Sequence, residues 1–476
     1  MEQALQQQKQ LSLETPNLQK ELRTQWRITI PLVAMNFTWF AKTAITTAFV
    51  GRLGELPLAG ATLGFTFGNV TGFSLLNGLC GAMEPICGQA FGAKNVCLLH
   101  KTLLMATTLL LAVSVPIAFL WINVDRILIN CGQQRELAAV SRRYLIFLIP
   151  DLVVTSFLCP LKAYLSTQNV TVPIMLSSAT ATALHIPAIL ILSRARGLEG
   201  IAMAVWISDL VVAILLAIYV ILWESRKGGN WKEGGWFEQG GAEWARLLKL
   251  SGPCCLTTCL EWWCYEIVVL LTGRLHSARR SVGVLAVVLN FDYLLFSVML
   301  SLGTCASVRV SNELGAGRPG VARRAAGVCL CAGAAMGVVG GAAMVGASGV
   351  WGKLFSRERG VVRGVGRMMM VMAAVEVVNF PLVVCGGVVR GTARPWLGMY
   401  ANVCGFYLIG LPLGVVLAFK VGLGLGGLLG GLFGGVVVCL VLLLVFLARI
   451  DWDDESHKAQ MMQDLVDHED HNPIPS

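Results

Sequence analysis

From Ile28 onward the chain alternates between long apolar runs and short polar or basic breaks. The runs are about twenty residues or more, the length of a membrane crossing rather than of an amphipathic surface helix or a strand. Twelve of them can cross a ~30 Å hydrocarbon core: 28–51, 57–83, 102–124, 144–161, 170–193, 200–223, 250–273, 281–307, 325–350, 368–389, 396–419 and 421–448. Lipid offers no partner to bare peptide groups, so each run is expected to be a helix, which satisfies its backbone internally. An even number of crossings puts both termini on one side. The first 25 residues, rich in Gln, Leu and Lys, lack the short apolar core and small-residue cleavage site of a signal peptide, so that side is expected to be the cytosol.

The longest connection, 224–249, holds Gly228, Gly229, Gly234, Gly235, Gly240, Gly241 and five basic residues. It reads as a cytosolic hinge between two halves of six spans each. The expected organisation is an N-terminal cytosolic tail (1–27), an N-lobe of spans 1–6 (28–223), the hinge (224–249), a C-lobe of spans 7–12 (250–448) and an acidic cytosolic tail (449–476). An internal repeat supports the division. Pro31, the run Gly51-Arg52-Leu53 and Pro173 recur 222 positions later as Pro253, Gly273-Arg274-Leu275 and Pro395, and Gly92-Ala93 returns at 223 as Gly315-Ala316. Because each unit has an even number of spans, the copies share one orientation, as parallel repeats about an axis along the membrane normal. The predicted fold is an all-α polytopic membrane protein, twelve transmembrane helices in two six-helix bundles, with a cavity between them as the natural place for a substrate.

Composition agrees. Hydrophobic residues make up 55% of the 476 and charged ones only 14%, with mean hydropathy +0.68, against roughly 25% charged in a soluble protein. A single soluble core is excluded. The net charge of +9 does not indicate nucleic acid, since the last 27 residues carry eight acids against one lysine and the remaining excess lies in short basic clusters flanking apolar runs. The fifteen cysteines fall mostly inside apolar stretches and read as small packing residues rather than a disulfide framework.

Charge that persists inside lipid costs roughly 2.5–3.5 kcal/mol per central residue and marks where chemistry is to be sought. The N-lobe has Lys42 in span 1, Asp151 in span 4 and Asp209 in span 6; the C-lobe has Glu261 and Glu266 in span 7, Asp292 in span 8 and Glu376 in span 10, with no compensating lysine. Four carboxylates facing one another in a low-dielectric cavity cannot all stay ionised, so the set is expected to hold a proton or a small cation. Glu261 and Glu266, five apart, differ by about 140° in direction, so Glu261 could face the cavity while Glu266 contacts neighbouring helices. Other patterns weigh less. Gly422, Gly424 and Gly427 suit close packing in span 12 better than a dinucleotide loop, Cys254, Cys255, Cys259 and Cys264 lack a metal-ligand arrangement, and His185 beside Pro187 suits helix packing. No metal site or cofactor is expected.

The segment Cys259-Leu260-Glu261-Trp262-Trp263-Cys264-Tyr265-Glu266 resembles the seventh span of eukaryotic multidrug and toxic compound extrusion (MATE) transporters. Similar strings are Gly51-Arg52-Leu53-Gly54, Glu84-Pro85-Ile86-Cys87-Gly88-Gln89-Ala90-Phe91-Gly92-Ala93, Arg309-Val310-Ser311-Asn312-Glu313-Leu314-Gly315-Ala316-Gly317, and Glu376, Asn379 and Pro381 with Val389-Arg390-Gly391-Thr392-Ala393-Arg394-Pro395, which look like the tenth span and its exit in plant members. The resemblance implies two six-helix bundles in a V that switch access by rocking, with Glu261, Glu266 and Glu376 as cation-coupling and substrate residues. Prokaryotic members carry an aspartate in the first span; here that region reads Met35-Asn36-Phe37-Thr38 with Lys42 nearby, so coupling through a span-1 acid does not carry over.

The expected function is a secondary antiporter that exports small organic compounds (secondary metabolites, xenobiotics, hormones or organic anions) for protons, with sodium as the other candidate ion. Asp292 joins the coupling set. Trp262, Trp263 and Tyr265 offer flat surfaces to organic molecules, Asn379, Lys42, Asp151 and Asp209 are candidate cavity residues, and Glu84, Arg309 and Glu313 are candidate structural or gating residues. Arg309 and Glu313 are spaced for an i,i+4 pair. No enzyme constellation such as H-E-x-x-H is present. The competing class is a non-transporting sensor or signalling scaffold on a transporter fold, with partners at the hinge or tail. The expected setting is the plasma or vacuolar membrane, the plasma membrane preferred, with the lipid bilayer and small organic substrates as partners, no nucleic acid, and function as a monomer.

Overall fold

The computed structural model describes residues 18–226, 236 and 239–471, and among these every regular element is a helix. Eleven helices are long and apolar enough to cross a membrane: Leu18–Gly51 (span 1), Val96–Ile122 (span 3), Arg135–Thr167 (span 4), Val172–Arg196 (span 5), Leu198–Arg226 (span 6), Gly241–Thr272 (span 7), Ala278–Gly315 (span 8), Pro319–Phe355 (span 9), Arg359–Gly391 (span 10), Pro395–Lys420 (span 11) and Leu425–Ala448 (span 12). Span 2 is interrupted: it runs as Glu55–Gly68, a π-helical turn Asn69–Phe73, Ser74–Cys80 and Met83–Gly92. With it the crossings among the described residues number twelve.

Small residues set how closely the spans approach, because between helices in lipid the attraction comes from packing rather than from a hydrophobic drive. Gly60, Gly64, Gly68 and Gly72, four apart, lay one face of span 2 on span 4 and on Trp121; a Cβ on Gly60 would sit 2.6 Å from that of Val140. Trp121 is fully buried and its indole N–H donates to Thr71 Oγ1 at 3.0 Å. Gly431 and Gly435 of span 12 meet Gly405, Gly410 and Gly414 of span 11. Hydroxyls inside the spans turn back on their own helix, as in Thr102 to the Leu98 carbonyl (2.7 Å) and Thr107 to that of Leu103 (2.8 Å), and so need no partner from lipid.

The repeat landmarks occupy matching places. Pro31 and Pro253 lie inside spans 1 and 7, Pro173 and Pro395 open spans 5 and 11, and Gly92 and Gly315 are the last residues of spans 2 and 8. Each glycine is followed two residues on by a left-handed position, Lys94 (φ 63°) and Gly317 (φ 70°). The two helix ends also meet: a Cβ on Gly92 would lie 2.8 Å from the Ala316 nitrogen, and one on Gly315 would lie 2.6 Å from the Gln89 Cα. The lobes are thus pressed together at the ends that carry the hinge and both termini.

Four expectations need correction. Span 1 begins at Leu18 rather than 28, since Glu21 and Gln25 lie one turn apart on a face buried against the C-lobe. The connection between lobes is shorter than 224–249, because span 6 runs to Arg226 and span 7 starts at Gly241; residues 227–235, 237 and 238 lie outside the described residues. Its described part is docked, Trp236 stacking on His100 with ring centroids 4.1 Å apart. The acidic tail contains a helix, Trp452–His471, held by Ser456 donating to the Leu314 carbonyl (3.2 Å) and by the Glu455–Arg394 ion pair. Gly422 and Gly424 belong to the turn before span 12, at φ 82° and 56°, where a side chain would be strained.

The lobe boundary also crosses span 7. Leu247, Leu250 and Cys254 belong to the N-lobe core, whereas Cys264 and Val268 belong to the C-lobe core. At the crossover Gly78 of span 2 allows backbone contact, with its absent Cβ 2.7 Å from the Cys255 Cα. We expect Gly315→Val to insert into the membrane but to hold the hinge-side ends apart. Hydrogen exchange in 84–95 and 307–318 should then rise; unchanged protection there would contradict this account of the seal.

Candidate functional site

Three of the four C-lobe acids come together. Asp292 of span 8 and Glu376 of span 10 are buried, 5% and 0% exposed, and their carboxyls face one another at hydrogen-bonding range. A carboxylate only accepts. Neither oxygen of Glu376 meets a donor, nor does Asp292 Oδ1, nor Asn379 Oδ1 one turn along span 10. Three buried carboxyl oxygens therefore meet without a donor, with a fourth unsatisfied acceptor on Asn379 one turn along the helix, and a proton held between the two carboxyls satisfies part of that deficit. Glu261 lies within the field of Asp292 and of Arg390, and Tyr265 within that of all three acids. Glu266 departs from the expected foursome: its electrostatic neighbour is Tyr293, as the 140° offset along a helix allows.

The aromatic residues beside Glu261 are engaged in packing. Trp262 meets Phe296 edge-on with centroids 6.3 Å apart. Trp263 crosses between lobes, its indole N–H donating to the Val70 carbonyl at 3.2 Å. Val70 lies in the π-helical turn of span 2, and its carbonyl also accepts from Ser74 (2.8 Å). Such turns offset the backbone bonding and often occur at functional positions.

The N-lobe residues expected to line a cavity instead bind one another. Lys42 Nζ lies 2.6 Å from both carboxylate oxygens of Asp209. Asp151 is buried within reach of that pair and of Lys162. His185 has both ring nitrogens occupied, by Thr46 Oγ1 at 3.1 Å on one side and by Ser208 Oγ (2.8 Å) and the Ala204 carbonyl (3.2 Å) on the other. The cysteines of span 7 pack against span 2, Cys255 toward the Leu75 carbonyl and Cys259 toward Ser74, and among the described residues no group of His, Cys, Asp and Glu could hold a metal ion.

On the hinge side a chain of charges ties the lobes. Arg309 grips Glu21 of span 1 with two bonds, Nε to Oε1 at 3.0 Å and Nη2 to Oε2 at 2.8 Å, and pairs with Glu313 at 2.9 Å; Arg318 reaches Glu313 at 2.8 Å. Asn312 donates to the Thr167 carbonyl (3.1 Å), Arg246 to Gln89 (3.0 Å) and Arg390 to Glu84 (3.1 Å). Sequence reasoning had Glu84, Arg309 and Glu313 but missed Glu21, Arg390, Arg246 and Lys162. One signal was available: Glu21 and Glu243 stand one repeat offset apart in polar stretches, and both are buried against a cation, Arg309 and Lys101 respectively.

Comparison with known proteins places this arrangement. The MatE family model matches the chain twice, over residues 31–191 and 253–416, so that the two matches begin at Pro31 and Pro253. The chain belongs to the MATE family. It is 58% identical over 443 residues to Protein DETOXIFICATION 56 of Arabidopsis thaliana, covering 93% of this chain and 90% of that protein. Protein DETOXIFICATION 48 of the same plant is 36% identical over 93% of this chain and 83% of its own length. Among solved structures, the eukaryotic MATE transporter AtDTX14 superposes with a TM-score of 0.87 at 30% identity, over 94% of this chain and all of that one. An outward-facing member of the family shares the fold at a TM-score of 0.81 and 15% identity, over 92% of this chain and 96% of that one. The protein is therefore a multi-pass membrane transporter of an efflux family and not an enzyme.

Arg309 joins Glu21 of span 1 to Glu313 of span 8, and its removal strands the buried carboxylate of Glu21 and leaves Glu313 to Arg318 alone. Arg309→Ala should lower stability by about 3 kcal/mol or more, while Arg309→Lys, which keeps the charge but not the two-pronged geometry, should lose less. Thermal unfolding of the purified variants in detergent checks this; equal midpoints for the alanine variant and the unaltered chain would remove Arg309 from the latch.

Proposed function

We propose that this MATE protein exports small organic compounds in exchange for protons, and that the Glu261–Asp292–Glu376 cluster is where the proton binds. The observation that carries the reading is the set of buried acceptors without donors at Asp292, Glu376 and Asn379. A proton supplies the missing hydrogen bond. Sodium is the alternative ion for the same oxygens, and substrates are the secondary metabolites, xenobiotics, hormones or organic anions that a broad cavity admits. The protein works as a monomer in the plasma membrane, with the vacuolar membrane as the alternative setting.

The mechanism follows from who shares Arg390. Its guanidinium binds Glu84 of the N-lobe and lies within the field of Glu261. While Glu261 is ionised, Arg390 divides its attraction between the cluster and the hinge-side latch. Once Glu261 takes up a proton that competition ends, and the grip of Arg390 on Glu84 tightens. Ion occupancy and lobe closure are linked through one side chain, which is what alternating access requires: an ion that bound both states equally would shift nothing. The closed hinge side is the state in which substrate leaves toward the opposite, acidic compartment.

Substrate binding should therefore weaken as pH falls and the cluster takes up protons, by at most tenfold per pH unit for one competing proton. Equilibrium binding measured in detergent between about pH 5 and pH 8 tests the sign. Glu261→Gln, a mimic of the protonated side chain, should bind with no pH dependence and should not drive flux in proteoliposomes from an imposed pH gradient. Glu376→Gln should also transport poorly, with the larger effect on affinity. Gradient-driven flux that survives in Glu261→Gln, or binding by the unaltered chain that ignores pH, would defeat proton exchange; a response to sodium instead would assign the other ion.

A further inference from the structure

The N-lobe holds a second ionic cluster that proton exchange in the C-lobe leaves without a task. Lys42 is only 7% exposed and its ammonium bridges both oxygens of Asp209 at 2.6 Å. Asp151, 3% exposed, lies within the field of that pair, and its Oδ1 has no donor. Lys162 of span 4 completes the set and feels Asp151, Asp209 and Lys42. Two ammoniums thus balance two carboxylates, with His185, held by Thr46, Ser208 and the Ala204 carbonyl, and with Cys159 and Tyr144 as the other titratable neighbours.

The position of Lys42 differs from that of a surface lysine in two respects. Its charge sits inside the lobe, where an unpaired carboxylate is expensive, and it is carried by span 1, one turn before Thr46, whose hydroxyl donates to the Lys42 carbonyl. With the ammonium removed, that place would present both oxygens of Asp209, with the buried Oδ1 of Asp151, itself without a donor, in the same electrostatic neighbourhood on another helix. Oxygen sets of that kind take small hard cations. The ammonium is itself such a cation, but one that cannot leave.

We propose that Lys42 is a built-in counter-ion, occupying the position against the Asp209 carboxylate, in the field of Asp151, that a free sodium ion would otherwise take. The N-lobe then carries no exchangeable cation, and this single residue contributes to the choice of coupling ion by keeping sodium out. The inference rests on the exchange reading only in placing the proton in the C-lobe; the occupancy of the N-lobe site is tested without it.

The test uses the full chain, purified in detergent, with sodium chloride titrated against N-methylglucamine chloride at constant ionic strength. Lys42→Ala should gain a sodium-specific rise in unfolding midpoint of about 1–3 °C at saturation. The rise should be absent from the unaltered chain and lost again in Lys42→Ala/Asp209→Asn. A folded Lys42→Ala with no sodium response overturns the proposal, as does a sodium response already present in the unaltered chain and abolished by Asp209→Asn. Should Lys42→Ala fail to fold, Lys42→Met/Asp209→Leu replaces both partners with apolar groups, a change that buried ion pairs often tolerate. That variant should show no sodium response and should keep the pH dependence of substrate binding shown by the unaltered chain; binding that persists without it would move coupling into the N-lobe and overturn the proposal. Failure of proton exchange itself is read separately, as pH-insensitive binding by the unaltered chain.

Discussion

A charge placed in lipid must be neutralised by the protein that carries it, and the rest of this molecule is arranged around the few places where that happens. The two lobes solve the problem differently. In the N-lobe, Lys42 and Lys162 accompany Asp151 and Asp209, and the Lys42–Asp209 pair is closed at 2.6 Å. In the C-lobe, Asp292 and Glu376 meet with no lysine between them. The first arrangement balances its own charges; the second does not, and in the proposed exchange it is the unbalanced site that responds to a gradient.

The same constraint explains the hinge-side latch. Glu21, Arg309 and Glu313 are nearly as buried as the intramembrane acids, yet each oxygen or nitrogen that matters has a partner of opposite sign. Such a network is weak evidence of stability, because desolvation offsets much of the attraction. It is better suited to specifying one arrangement of two lobes over another: separated lobes would leave a lone carboxylate on span 1 and a lone guanidinium on span 8, unless water reaches them. Opening on this side therefore means wetting it, and the backbone contacts of Gly92 with Asn312 and Ala316 and of Gly315 with Gln89 leave no room for water between them while it is closed.

What could be read from the sequence was what periodicity and duplication encode. Span number, the parallel repeat and the intramembrane acids follow from apolar run length, from Pro31 and Pro253, and from the rarity of charge, and each is local or strictly periodic. Span 2 shows the limit. Its apolar run was visible, but its breakage around Asn69–Phe73 and at Gly81 was not, because a π-helical turn depends on Trp121, Ser74 and Trp263 arriving from or bonding at other places in the fold. The identity of the acid cluster was legible to the residue level only in part. Rarity pointed to Glu261, Glu266, Asp292 and Glu376 alike, and only the rotation of span 7 separates Glu266 from the others. Arg390 was hidden for another reason: an arginine at a helix end reads as a membrane-flanking charge, and nothing local says that it reaches both Glu84 and Glu261.

Duplication gave this protein two lobes of one architecture, but the side chains within them have diverged, and span 7 is where the divergence matters. Its first half packs in the N-lobe core through Leu247, Leu250 and Cys254, and its second half in the C-lobe core through Cys264 and Val268. Glu261 lies on the stretch between. A carboxyl there experiences the field of the C-lobe acids and of Arg390, whose other partner belongs to the N-lobe. Had the acid stood a turn or two further into the C-lobe, its protonation would alter only the packing of that lobe. In the proposed exchange, the same event at the crossover would change the balance between lobes, and the neighbouring Trp263–Val70 bond joins span 7 to span 2 there. Rocking of the lobes, as proposed, needs a fixed contact as well as moving ones, and backbone-to-backbone approach at Gly78 and Cys255 offers one without adding a charge that the membrane would oppose.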